Sequence, residues 1–352
     1  LLGGLPRSKN KKGEKDMTMD MTREITLEFV RVTEAAALKA ARWMGKGDKN
    51  AADKAAVDAM RGMLELVNIR GKIVIGEGEK DEAPMLYIGE NVGGGGIHDP
   101  QVDIAVDPLD GTTLTSKGLP GAIAVLAAAD AGSLMSFPSF YVDKIAVGPA
   151  AKGCIDINDS VKNNLKRVAK ALDFKIGELT VVILDRPRHK KLIEEVRDAG
   201  ARVKLISDGD VAGAIACATT SSGSNILMGI GGAPEGVLAA AALKCLGGDI
   251  QVKIWPRDPE EKKKIIELGF SAKQMETVFT AEDLCHGDST IFSATGVTGG
   301  DFLDAVRYQG DTAVTHSVVM RCKTRTVRYI TAVHQTKIKT VPSRSESREV
   351  RI

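Results

Sequence analysis

Apolar positions recur at helical spacing from about Thr22 to Met44. Ile25, Phe29, Val32, Ala36 and Trp43 share one face, and Gly45 and Gly47 stop the pattern. A second helix is predicted from Ala51 to Asn68. Val57, Met60, Leu64 and Val67 lie on its buried side, with Asn50 as its cap. The period then changes to that of short strands: Lys72 to Ile75, Val102 to Val106, Ala122 to Ala127 and Lys144 to Val147. Beyond a boundary expected near Ala150 to Asp159, helices and strands alternate. A helix over Val161 to Leu172 precedes a strand over Thr180 to Leu184, and a helix after Arg188 precedes a strand over Arg202 to Ile206. A helix after Asp210 precedes a strand over Asn225 to Gly229, and a helix follows Pro234. That alternation predicts an α/β second lobe with a largely parallel sheet. The chain divides on this reading into an amino-terminal lobe over 17–155, a carboxy-terminal lobe over 156–336 and a frayed polar tail over 337–352. Residues 1–16 are Lys-rich, unpatterned and begin on Leu. They are set aside as a processed end or disordered remnant, with Met17, Met19 and Met21 as candidate starts.

Composition narrows the class. The 352 residues are 43% hydrophobic and 27% charged, an ordinary globular balance, and a net charge of +2 demands neither nucleic acid nor membrane as a partner. Only 4% of residues are aromatic, and Gly is abundant, which favours helices packed closely on sheets over a β-sandwich. The five cysteines, Cys154, Cys217, Cys245, Cys285 and Cys322, are dispersed and form no C-x-x-C pair. A disulfide framework or zinc site is not expected, and a reducing, cytoplasmic compartment fits. No apolar run reaches membrane-spanning length.

Four acidic sites sit at strand ends or helix starts. The strongest is Asp107-Pro108-Leu109-Asp110-Gly111-Thr112-Thr113. A hydrophobic strand delivers Asp107, Pro108 stops the strand, and a tight turn brings Asp110 toward the same space. Gly111 permits the turn, and amides at a following helix start suit a phosphate. Two acids beside free amides suit a hard cation plus a phosphoryl oxygen; the competing reading is a helix-capping turn. In Gly76-Glu77-Gly78-Glu79-Lys80-Asp81-Glu82, four acids fall within six positions, an electrostatic cost that nearby cations relieve, although a solvated acidic loop would look the same. Glu235, after Gly231-Gly232-Ala233-Pro234, opens a helix. It serves either a ligand or the helix dipole. Asp53 lies in a first helical turn, where complementing the dipole is the simpler role. Arg186-Pro187-Arg188-His189 sets two guanidinium groups around a rigid Pro, suited to a phosphate or to surface ion pairs. Asp208-Gly209-Asp210 suits sugar hydroxyls or a helix cap. No dinucleotide fingerprint, P-loop or nucleophile elbow is present, and the five His lack metal-ligand spacing. His189 is placed near substrate and the other His are read as structural.

These strings together resemble the class II fructose-1,6-bisphosphatases, within the lithium-sensitive, metal-dependent phosphatase superfamily. The strings are GKGDKNAAD (45–53), IGEGEKDEAPMLYIGE (75–90), AVDPLDGTT (105–113), LDRPRH (184–189), LISDGD (205–210) and MGIGGAPEGVLAAA (228–241). The resemblance runs from about Glu24 to Ile330 and implies a two-lobed α-β-α-β-α sandwich. It implies Mg²⁺ or Mn²⁺, two or more ions, with Asp53 and Glu77 on one and Asp107, Asp110 and Glu235 on a second, joined by the Leu109 carbonyl. It implies Asp81 and Thr112 as the pair that orients and activates water. Substrate contacts are implied for Asp110, Gly111, Thr112, Tyr141, Arg186, Pro187, Arg188, Asp208, Gly209, Asp210 and Gly232. The implied reaction removes the 1-phosphate of fructose 1,6-bisphosphate, a gluconeogenic step. Sedoheptulose 1,7-bisphosphate or another small phosphate monoester such as an inositol phosphate is the alternative substrate, and a non-catalytic sugar-phosphate sensor the alternative role. A dinucleotide-dependent oxidoreductase is disfavoured by the missing fingerprint. The family implies a homo-oligomer, a dimer or tetramer. Gly121 stands where a polar residue such as Asn is expected, and Ser133 to Phe140 reads as an idiosyncratic insertion.

Overall fold

The computed structural model describes residues 22–78, 85–219, 222–343 and 348–351. Its helices are α1 (Thr22–Ala41), α2 (Lys49–Leu64), α3 (Thr112–Lys117), α4 (Val161–Leu172), α5 (Lys190–Asp198), α6 (Asp210–Ala216), α7 (Ala233–Leu246), α8 (Pro259–Glu267), α9 (Ala272–Glu276) and α10 (Ala281–Leu284). One sheet contains β1 (Arg70–Ile75), β2 (Asn91–Val92), β3 (Gln101–Asp110), β4 (Ile123–Asp130), β11 (Ile291–Gly296), β12 (Arg307–Gln309), β13 (Thr312–Arg321) and β14 (Thr326–Gln335). Its order is β12-β13-β11-β4-β3-β1-β2, with β14 along β13. The second contains β5 (Tyr141–Val147), β6 (Thr180–Leu184), β7 (Arg202–Ile206), β8 (Ile226–Gly232), β9 (Asp249–Ile254) and β10 (Val278–Thr280), in the order β10-β9-β5-β8-β6-β7.

The layers follow from side-chain alternation. On β4, Ile123, Val125, Ala127 and Ala129 join the core around α7, while Ala124, Leu126 and Ala128 join the core under α1 and α2. A strand buried on both faces reads as a continuous apolar run, and Ala122 to Ala129 is one. Helix α7 is apolar almost all round because it lies between the sheets, where Val237, Leu238 and Ala240 to Leu243 are wholly buried. The outer face of the second sheet packs on α4 and α5 through Leu165, Val168, Ile193 and Val196. The result is the α-β-α-β-α layering expected.

Four expectations are corrected. The second sheet is mixed: β7 and β8 run parallel to β6, but β5 is antiparallel to both β8 and β9. The lobes do not divide at residue 155. β5 already belongs to the second sheet, and β11 to β14 return to the first, so the 17–155 and 156–336 segments interleave. The polar end is not frayed where it is described. β15 (Thr340–Ser343) pairs antiparallel with β16 (Arg348–Arg351), the Pro342 carbonyl presses on Gly62 of α2, and Lys39 Nζ donates to the Arg351 carbonyl at 2.7 Å. The cap of α2 is Asp48, whose side chain accepts from the Ala51 amide at 2.9 Å, rather than Asn50.

Candidate active site

Strand ends build the site. β3 pairs regularly with β4 as far as Asp107 and then slips, resuming at Asp110. Pro108 supplies no amide for the ladder, and the Leu109 amide turns back to Asp107 Oδ1 at 3.0 Å; the two acids flank the break and line one cavity. Gly111 follows with φ +102°, and a Cβ there would meet Ala122 at 3.1 Å. β1 leads straight into Gly76, where a Cβ would lie 1.9 Å from the Leu86 carbonyl oxygen, so only Gly lets the chain turn and present Glu77. Glu235 sits in the first turn of α7, whereas Asp53 lies in the second turn of α2 rather than the first, because the helix already starts at Lys49.

These elements surround a cavity of about 270 Å³ lined by Asp53, Glu77, Asp107, Asp110, Thr112 and Glu235, with the backbone of Gly76 and Gly111. Leu109 also lines it while keeping its side chain in the core, so what it offers is backbone. A second cavity of about 290 Å³ adjoins, lined by Tyr141, Arg186, Arg188, Asp208, Asp210 and Gly232. Asp110, Ser139, Asp208, Pro234 and Glu235 border both. The two therefore form one bipartite cleft, acidic at one end and carrying two guanidinium groups at the other.

Burial and mutual repulsion dominate the electrostatics. Burial, then the charges of Asp53 and Glu235, pushes Glu77 up to about 8. Asp107 is held well above the ordinary range by burial and by Asp110, Glu77 and Glu235. Asp110 is raised in the same way by burial and by Asp210, Glu235 and Asp208, with Lys144 opposing. Burial also raises Glu235, Asp53 and Asp208. Among the described residues no three acids, His or Cys stand close enough to hold an ion together. Like charges at such range push apart. Yet Asp110 Oδ2 and Glu235 Oε2 are buried with no hydrogen-bond partner. Carboxylate oxygens left bare in an acidic cavity are the donor set of a hard divalent cation, and the residues present fit one.

At the other end, Tyr141 is flanked by two guanidinium groups, Arg188 at 4.8 Å and Arg257 at 5.1 Å from the ring centre. Arg188 Nη2 donates to the Ile230 carbonyl at 2.8 Å, which fixes its fork beside the cleft. Asp210 is paired with Lys144, both almost wholly buried, and Lys144 also donates to the Gly232 carbonyl at 3.1 Å. A Cβ on Gly231 would lie 2.1 Å from Asp210 Oδ2, so the pair requires Gly there.

Most expected site residues thus meet in one cleft, with exceptions. Asp81 lies outside the described residues. Pro187 opens a short 3₁₀ turn, Pro187–His189, and borders neither cavity, while Gly209, with φ +79°, faces a separate apolar cavity. His189 is a strut rather than a substrate contact. It is 1% exposed, its Nδ1 donates to the Leu184 carbonyl at 2.6 Å, and its Nε2 accepts from the Ile230 amide at 2.7 Å. Gly121 has φ +115° and faces that same apolar cavity, which accounts for Gly there. Sequence reasoning missed Lys144, Arg257 and Ser139. Lys144 did leave a signal, a buried charge beside Asp143 in the otherwise apolar β5.

The family described as bacterial fructose-1,6-bisphosphatase, glpX-encoded, matches residues 23–334. The chain belongs to this family. A Haemophilus influenzae protein named fructose-1,6-bisphosphatase class 2 is 47% identical over 324 residues, covering 89% of this chain and 97% of its own. Proteins of Crocosphaera subtropica and Synechococcus elongatus, both named D-fructose 1,6-bisphosphatase class 2/sedoheptulose 1,7-bisphosphatase, are 44% and 46% identical over 337 residues, with the same coverage. The resemblance read from the motifs is borne out, and the chain is an enzyme of the phosphoric monoester hydrolase class. No helix of the described residues is long and apolar enough to cross a membrane.

Proposed function

We propose that this chain hydrolyses the 1-phosphate of fructose 1,6-bisphosphate to fructose 6-phosphate and phosphate, a gluconeogenic step, with Mg²⁺ or Mn²⁺ as cofactor. The observation that carries the reading is the bipartite cleft, whose ends match the two phosphates of a sugar bisphosphate. The reacting phosphate lies at the acidic end and the distal one between Arg186 and Arg188. Asp53 and Glu77 would hold one cation, and Asp107, Asp110, Glu235 and the Leu109 carbonyl another. Bound there, such cations neutralise phosphoryl charge and make water a stronger nucleophile at neutral pH. Thr112 positions the attacking water through its hydroxyl, and Asp81 takes its proton. Gly111 keeps the backbone close to the phosphoryl oxygens. Arg186 and Arg188 grip the distal phosphate as planar forks, and Tyr141 bears on the sugar. Asp208 and Asp210 accept sugar hydroxyls, and Gly232 leaves room for them. Pro187 and Gly209 shape the two loops. Phosphoryl transfer asks for positioning and charge stabilisation rather than a covalent nucleophile, and the cleft offers those. The reading places the enzyme in a reducing, cytoplasmic compartment, which five dispersed cysteines without a C-x-x-C pair suit, and as a dimer or tetramer by family analogy.

The names of the two cyanobacterial relatives favour a second reading, in which sedoheptulose 1,7-bisphosphate is an additional substrate. Phosphate release from both bisphosphates and from inositol 1-phosphate, with Mg²⁺, Mn²⁺ or chelator, separates the cases. Release that requires metal and is fastest from fructose 1,6-bisphosphate is expected. Equal release from inositol 1-phosphate would refute the bisphosphate assignment, and binding without release would establish a sensor.

A further inference from the structure

Three of the five cysteines meet at one place far from each other in sequence. Cys245 lies in the last turn of α7, Cys285 directly follows α10, and Cys322 directly follows β13. Cys322 Sγ donates to the carbonyl of Lys244, the residue before Cys245, at 3.8 Å, which sets Cys322 against the last turn of α7. Thr290 is their common neighbour. Its carbonyl lies 3.7 Å from Cys245 Sγ and accepts the Cys322 amide at 2.9 Å, and its hydroxyl is 3.0 Å from Cys285 Sγ. Cys245 and Cys285 are buried, whereas Cys322 is partly open to solvent.

The surroundings divide the labour between the sulfurs. The neighbouring Cys245 thiol is the main influence on Cys322 and lowers it to about 7; Lys244 and Arg325 act in the same direction, against burial and Asp288. Cys245 is raised well above the ordinary thiol range by its neighbour Cys322 and by burial. A thiolate is the reactive form of cysteine, and a low-pKa, accessible thiol beside a second one is the arrangement that oxidises reversibly.

We propose that Cys322 and Cys245 form a peroxide-responsive dithiol, with Cys322 the attacking sulfur and Cys245 the resolving one. The Cys322 thiolate attacks one oxygen of hydrogen peroxide, the O–O bond breaks, and the released hydroxide takes up a proton. The resulting Cys322 sulfenic acid is attacked by Cys245. The S–S bond forms, the S–O bond breaks, and the oxygen leaves as water with the Cys245 proton. Peroxide gains the two electrons that the thiols lose, and an external dithiol reverses the change. The product ties the carboxyl end of α7 to the end of β13.

The test treats the reduced full-length protein with a small excess of hydrogen peroxide, blocks remaining thiols by alkylation, and maps peptides. Two thiols of the five are expected to disappear, in one peptide pair that links Cys245 with Cys322 within a single chain and is released by dithiothreitol. Cys322→Ser should slow thiol loss roughly tenfold, and Cys245→Ser should leave a sulfenic acid on Cys322 that dimedone traps. Unchanged circular dichroism and melting of both reduced variants establish that they fold. Oxidation of Cys154 ahead of Cys322, a link between two chains, Cys285 in place of Cys245, or wild-type oxidation of Cys322→Ser would each overturn the proposal.

Discussion

Asp110 and Glu235 show at the residue scale why the acidic cavity is unstable by itself. Each buries a carboxylate oxygen that no donor reaches, and each stands among further acids. An unpaired buried charge costs several kcal/mol unless it is neutralised. Replacing Glu235 with Gln removes that charge at nearly constant shape. In chelator, Glu235→Gln is therefore expected to melt above the wild type. With Mg²⁺ or Mn²⁺ it should lose most of the metal-induced rise in melting temperature, and about a hundredfold or more of turnover. Equal metal-induced shifts in both proteins would remove Glu235 from the ligand set. The acids were legible because each sits at a strand end or helix start, where a carboxylate is either a ligand or a local cap. Only the packing of β3, β1, α2 and α7 around one space decides between those roles. His189 shows the converse. Its neighbours Arg186 and Arg188 face the cleft, but its own ring turns inward to brace Leu184 against Ile230.

At the scale of elements, β5 is the strand that periodicity under-read. Its Tyr141 flanks the distal end of the cleft, and its Lys144 reaches under it to Asp210 and the Gly232 carbonyl. One cation thus fixes the start of α6 and the end of β8. Lys144→Met should cost about 3–5 kcal/mol in denaturant unfolding, because Asp210 is left charged and buried. It should also raise KM more than it lowers kcat, since what it holds is the sugar-facing wall. Adding Asp210→Asn should restore much of the stability and little of the affinity. A single variant as stable as wild type would mean that the pair is neutralised by other means. Pattern alone located β6, β7 and α4 residue for residue: β6 as a short continuous apolar run and α4 as an amphipathic helix. It misjudged strand direction, because an apolar run looks the same parallel or antiparallel. It also read the 133–140 segment as an idiosyncratic insertion, although Phe137 packs its ring against Phe140, Phe270 and Phe279 and Ser139 borders both halves of the cleft.

At the scale of the whole molecule, a buried polar relay joins α1 to the last strands of the first sheet. Lys339 Nζ donates to His334 Nδ1 at 2.9 Å, so Nε2 carries the ring proton and gives it to Thr315 Oγ1 at 2.8 Å. Thr315 in turn donates to Glu34 Oε1 at 3.3 Å, and Lys339 lies 3.8 Å from Glu34 Oε2. The groups facing His334 are thus the Lys339 ammonium, the Thr315 hydroxyl and, one step on, Glu34 and Arg31. A proton added at Nδ1 would meet an ammonium in a site with little water, and burial first, then Lys339, lowers His334 from 6.5 to about 4. The unfolded chain takes up that proton below about 6.5 and the folded one does not, so the unfolded state gains protons as pH falls. The contribution of His334 is fully present only above the unfolded value and is lost as pH drops toward 4. Between pH 6.5 and 4.5 the loss is roughly 2 kcal/mol. The acids of the cleft, raised by burial, act in the opposite sense over the same range, so the term must be read as a difference. His334→Gln removes the titration and leaves those acids untouched. The stability gap between wild type and His334→Gln, measured by urea unfolding in chelator, is expected to shift by that amount against the wild type as pH falls. A gap constant with pH would mean that His334 is protonated in the folded protein and that the relay runs in the other direction.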